Sequence, residues 1–160
     1  MFILEAQRHA DVVGSFKKYR EYLEANREQF PHNAFSLANS SWYFDFSHHQ
    51  CPHDSWLENI SIFENASGAR SEVRQTAIRL RLLAAYHDGF IELSYPCVFS
   101  YKLESHGDGN GHSDWLYDEI RLSENGHVLH EIEWAGMSHT SHWLIESNDI
   151  EFSWIPHVRK

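Results

Sequence analysis

Basic residues are scarce in this chain. Thirteen Lys and Arg stand against 23 Asp and Glu, a formal charge of −10 at neutral pH. Binding to nucleic acid needs basic groups that displace counterions from phosphates, so direct recognition of DNA or RNA is disfavoured. Cysteine is scarcer still. Cys51 and Cys97 are too few for a disulfide framework and read as reduced thiols of a cytoplasmic protein. No apolar run approaches the ~20 residues that span a bilayer, so no membrane association is expected. The opening MFILEAQRHAD has no basic segment before its short apolar run and no small-residue cleavage pattern, which argues against a signal peptide. There is no nucleophile elbow, phosphate loop or dinucleotide fingerprint. HEIEW at 130–134 begins like a zinc-protease helix but carries Trp134 where the second histidine belongs.

What remains is an ordinary globular composition with unusual accents. Hydrophobic residues make up 42% of 160 residues, enough for a real core, and residues 1–160 are expected to form a single α+β domain. Aromatics reach 14%, and such side chains serve both cores and binding surfaces. Thirteen histidines make the charge sensitive to acidity near the reference pKa of ~6.5.

Apolar spacing predicts a helix over 11–30 through Val12, Phe16, Tyr19 and Leu23, stopped by Pro31. A second is expected over 69–86, from Val73, Ala77, Leu80 and Ala84, closed at Gly89. Strands are expected at 42–46 and 56–63, making "SHHQCPHD" a hairpin loop, and at 90–103, bent or at an edge because of Pro96. The segments around Glu124–Gly126 form the clearest hairpin. A three-residue loop pairs Leu122 with Val128, Ile120 with His130, Asp118 with Ile132 and Leu116 with Trp134, with Gly126 at the left-handed position. A last hairpin pairs Ile145 with Phe152 and Trp143 with Trp154. The expected fold is α+β, two helices packed on one face of a mostly antiparallel, hairpin-rich sheet of five to seven strands. Its expected core is Trp42, Phe44, Val73, Ile78, Leu82, Leu93, Phe99, Ile120, Ile132, Ile145, Phe152 and Trp154.

These registers put like charges across from one another: Glu119 opposite Glu131 and Glu146 opposite Glu151, with Tyr117 opposite Glu133. Five carboxylates (Glu119, Glu131, Glu133, Glu146, Glu151), with Trp115 and Tyr117 among them, would then share a face suited to a basic protein partner. The competing reading is a solvated face that resists aggregation by charge. In SHHQCPHDSW, His48, Cys51 and His53 have short spacers of the kind zinc uses, and His142 from another loop would complete four ligands. A polar loop in a histidine-rich chain explains the same residues. DGNGHSDWLYDE at 108–119 starts like a calcium loop, but Ser113 stands where the sharp turn needs glycine.

Small, acidic, aromatic-rich and without catalytic motifs, the chain is similar in general character to bacterial immunity proteins and other small inhibitors. The likeness is one of type, and no functional residue carries over from it. The expectation is a non-enzymatic protein-binding module that inhibits or scaffolds a basic partner. The alternative is a zinc-binding protein or metal-dependent hydrolase using His48, Cys51, His53 and His142.

Overall fold

Helix α1 (Val12–Ala25) opens the part of the chain that the computed structural model describes, residues 12–157. Tyr19 and Leu23, one helical turn apart, are fully buried, while Lys17, Lys18, Arg20 and Glu21 face solvent. A short 3-10 turn (Arg27–Gln29) leads to helix α2 (His32–Ala38). Pro31 occupies the cap position and has no side chain able to accept, so Asp149 substitutes from far along the chain. Its carboxylate accepts from the Ala34 backbone N–H (2.8 Å) and the Asn33 side-chain amide (2.9 Å).

Residues 39–55 are mostly turns. Eight strands follow: β1 (Trp56–Ser67), β2 (Val73–Leu83), β3 (Gly89–Tyr95), β4 (Val98–Leu103), β5 (Asp114–Leu122), β6 (Val128–Ala135), β7 (Thr140–Ser147) and β8 (Glu151–Pro156). All pairings are antiparallel, in the order β4-β7-β6-β5-β1-β2-β3-β8. The fold is α+β, two helices packed with an eight-stranded sheet. β1 meets β5 only at Trp56 and Asp114, which divides the sheet into two four-stranded halves. Ile78, Leu80, Leu82, Ile91 and Leu93 from one half share a core cluster with Trp115, Ile120, Ile132, Trp134 and Ile145 from the other. The chain crosses between halves at Pro96–Cys97 and again at Asn148. The two crossings hold each other, Asn148 N–H donating to Cys97 O (2.9 Å) and Cys97 N–H to Asn148 Oδ1 (3.0 Å).

Beyond Asp114 the free side of β5 is sealed by α1. The Tyr19 hydroxyl accepts from Ile120 N–H (3.0 Å) and donates to Ile120 O, and the Tyr22 hydroxyl accepts from Leu122 N–H (3.0 Å).

Several expectations need correction. The helix over 69–86 is instead a turn and strand β2. Ile78, Leu80 and Leu82 are buried in alternation with Arg79 and Arg81, and this two-residue period outweighs the helical stripe. Residues 42–46 are turns. The long strand 90–103 breaks after Tyr95, so Val98 takes the buried position and Phe99 lies exposed. The last hairpin does not form: β7 pairs with β6 and β4, while β8 pairs with β3. The β5–β6 register holds at Leu122/Val128, Ile120/His130 and Asp118/Ile132, with Gly126 at φ 77°. It fails at Leu116, which bulges out so that Trp115 faces Trp134. Of the expected core, Val73 and Phe99 are exposed and Trp42, Phe44, Phe152 and Trp154 are partly buried; the other six are buried.

Candidate functional site

The expected acidic face does not exist as an open surface. Glu119 does face Glu131, and Tyr117 faces Glu133, on the side of β5 and β6 turned away from the core. All three carboxylates are nevertheless buried, Glu119 completely. Arg121 lies between two of them, 2.5 Å from Glu131 Oε2 and 3.5 Å from Glu119 Oε1, which relieves the like-charge pairing. Trp115 is core. Glu146 accepts from Ser123 (2.7 Å), His127 (2.9 Å) and Ser100 (3.1 Å), and the Ser123 hydroxyl is the main reason its carboxyl titrates below the usual range. Glu151 is exposed in the other sheet half, opposite Ser94. The splitting of β7 from β8 is what separates these last two.

The histidine-rich segment is likewise dispersed. Cys51 is buried, its Sγ donating to Tyr43 O, and burial pushes its thiol up to about 12. His53 bonds Leu116 O (2.7 Å) and stacks on Phe46. His48 stacks on Trp42, and His142 lies on β7 opposite Glu133. Among the described residues no three His, Cys, Asp or Glu side chains converge as a metal site requires, and His48, Cys51, His53 and His142 do not form one. The 107–111 stretch is a turn with Gly107, Gly109 and Gly111 at positive φ, not a cation loop.

Two arrangements emerge that pattern reading did not find. The first is a buried polar node. Asp118 accepts from Trp115 Nε1 (3.1 Å) and from the Tyr43 hydroxyl, and pairs with His130 Nε2 (2.8 Å); His130 Nδ1 meets the Tyr95 hydroxyl (2.8 Å). Burial, then the Asp118 charge, raises the Tyr43 and Tyr95 hydroxyls well above their ordinary value. All five side chains are buried, so the node ties the two halves together and meets no substrate from solvent. Its sequence signal was a carboxylate and an imidazole on otherwise apolar alternating positions, Asp118 between Leu116 and Ile120, His130 between Val128 and Ile132.

The second is one end of the molecule, assembled from residues 40–58, 83–90 and 107–116. Asp54 N–H donates to Trp115 O, Trp56 pairs with Asp114 in the sheet, and His49 bonds Asp88. These segments carry six carboxylates (Asp45, Asp54, Glu58, Asp88, Asp108, Asp114) and no lysine or arginine. The signal was legible as a gap: no lysine or arginine occurs between Arg27 and Arg70. Flat rings lie among the acids. Trp56, Tyr86 and Phe46 are exposed; His49 stacks on Tyr86 with centroids 4.2 Å apart, and His87 stands edge-on to Trp56 at 4.8 Å.

Two open clefts of about 450 Å³ each mark this end. One is lined by Trp56, Leu57 and residues 110–114, where Trp56 Nε1 donates to Asp114 Oδ1 at 2.7 Å. The other holds Asp45, His48, His49, Asp88 and Trp154. Trp154 reaches it by crossing Gly89, where a Cβ would come within 2.1 Å of the indole. The Ser47 hydroxyl and N–H hold the Asp45 carboxyl below the usual range, so it stays anionic. Ser47 Oγ donates to Asp45 and to neither histidine, so it is not set up as a nucleophile. Carboxylates beside flat rings suit lysine and arginine side chains, by charge-assisted hydrogen bonds and by cation–π contact.

No family model, curated protein or solved structure matches the chain. Its function therefore rests on this geometry. No described helix is long and apolar enough to cross a membrane.

Proposed function

We propose that this chain is a non-enzymatic binding module that inhibits or scaffolds a basic protein partner, through the anion-rich aromatic end rather than through the β5–β6 face. The observation that carries the reading is six carboxylates with no lysine or arginine in three segments that meet beside exposed Trp56, Tyr86 and Phe46. The charge speeds and orients encounter, and the rings supply contact area once the partner is seated.

The test measures binding of a fluorescent lysine-rich peptide at low salt. Asp45→Asn, Asp54→Asn and Glu58→Gln are combined in one variant. Glu21→Gln, Glu24→Gln and Glu28→Gln on and beside α1 remove the same charge elsewhere. The first variant is expected to bind ~5-fold or more weakly, the second within ~2-fold of wild type. Equal losses would reduce the effect to net charge and overturn the assignment of the site.

A further inference from the structure

Strand β1 has a side that the described residues leave open. β2 pairs with it from Trp56 to Ser67, but on its other side β5 meets it at Trp56 alone among the described residues. Residues 57–67 thus present outward N–H and C=O groups along an edge that contains no lysine, arginine or proline, and is blunted only by Glu58, Glu64 and the bulge between Leu57 and Asn59. The contrast with β5, sealed by Tyr19 and Tyr22, is direct. Beyond the body, β1 and β2 form a projecting ribbon: fifteen consecutive residues, 61–75, are exposed, with Ile62, Phe63 and Val73 among them. A two-stranded ribbon is marginal in water unless another strand or surface joins it.

We propose that β1 pairs antiparallel with β1 of a second copy of this chain, across a two-fold axis through Ile62. In a strand, backbone groups of alternate residues point to the same side, so a register that closes the ladder must pair even with even and odd with odd positions. With Ile62 facing its own copy, Ile60 faces Glu64, Ser61 faces Phe63 and Asn59 faces Asn65. The regular ladder is bounded by the bulge at Glu58. A slip of two residues one way would set Glu58 against Glu64, like charges that repel across strands.

Charge complementarity selects a second copy as the occupant. In this register the partner's turn after Ser67 arrives at Leu57, beside the cleft formed by Trp56, Leu57 and residues 110–114. That turn carries Glu72, whose carboxylate is held by the Arg70 backbone N–H (2.8 Å), and Arg70 itself, whose guanidinium has no ion pair among the described residues; the cleft contains Asp114 with Glu58 adjoining. Each copy offers one such arginine and one acidic cleft, so the contact is satisfied twice and closes as a dimer without leaving the β1 edge free. The inference stands on the open edge and does not require the basic-partner reading above.

Sedimentation velocity over a concentration series tests it. Wild type is expected to dimerise reversibly. Ile62→Glu and Ile62→Lys, at a position 43% exposed and so tolerant of charge, are each expected to remain monomeric with unchanged circular dichroism. Mixing the two is expected to restore a dimer, because only this register sets position 62 against itself. A wild type that stays monomeric throughout, a dimer indifferent to Ile62→Glu, or a mixture that stays monomeric would overturn the proposal. Peptide binding measured on the Ile62→Glu monomer tests the basic-partner site separately.

Discussion

The hydroxyl of Tyr19 takes the place of a neighbouring strand for Ile120, accepting from its N–H and donating to its carbonyl from a helix a hundred residues earlier. Removing it leaves two buried peptide groups without partners. Tyr19→Phe is therefore expected to cost about 2–6 kcal/mol, from about 1–3 for each unsatisfied group. Urea unfolding measures this directly. A loss below about 0.5 kcal/mol would mean that water or a backbone shift repairs the edge.

Asp118 serves three donors in the core, so its removal orphans Tyr43, Trp115 and His130 together. Asp118→Ala is expected to destabilise by about 3–5 kcal/mol, the usual cost of breaking a buried pair on one side. Asp118→Asn, which retains an acceptor, is expected to lose less. Equal losses from the two variants would show that charge, not hydrogen-bond acceptance, is what the node needs.

His112 packs against Trp134 and Trp143, and burial, followed by the nearby His106, lowers its pKa from the ordinary value. The fold therefore favours the neutral ring. In the unfolded chain the ring takes up a proton near pH ~6.5, so stability is full above that pH and falls as acidity increases towards the lower folded pKa. Denaturation midpoints between neutral and mildly acidic pH should show this slope, and His112→Asn should flatten it. An unaltered slope in that variant would assign the effect elsewhere.

Both cysteines are free, but their reactivity should differ. Cys51 is buried with its thiol pushed up to about 12, so almost no thiolate exists at neutral pH, whereas Cys97 is partly exposed at the crossing between halves. Mass spectrometry after brief alkylation of native protein is expected to find the label on Cys97 alone. Label on Cys51 at a comparable rate would show that residues 39–55 open readily.

What the sequence disclosed followed its strongest local signals. Tyr19 and Leu23 marked α1, and the three-residue loop Glu124–Gly126 set the β5–β6 register, because both depend on neighbours in the chain. Errors arose where two periodicities competed. Residues 73–84 fit a helical stripe through Val73, Ala77, Leu80 and Ala84, yet fold as a strand because Ile78, Leu80 and Leu82 find partners in β3. The Trp143–Trp154 hairpin was locally plausible and lost to pairings of long range. For the site, the absence of lysine and arginine from 28 to 69 was visible, but nothing in that stretch announced that Asp88 and Asp114 would join it. Conversely, the alternation that aligned Glu119, Glu131 and Glu133 carried no information on whether their face would meet solvent.

The two crossings at Cys97 and Asn148 mean that the first sheet half is completed by the last strand. A chain emerging from the ribosome can build the β1–β2–β3 meander early, but its outer edge stays unpaired until Glu151–Pro156 has been made. Such long-range closure slows folding and prolongs exposure of strand edges. Assembly of the sheet is thus timed by β8: a nascent chain halted before residue 150 would hold most of the core and lack the strand that closes it.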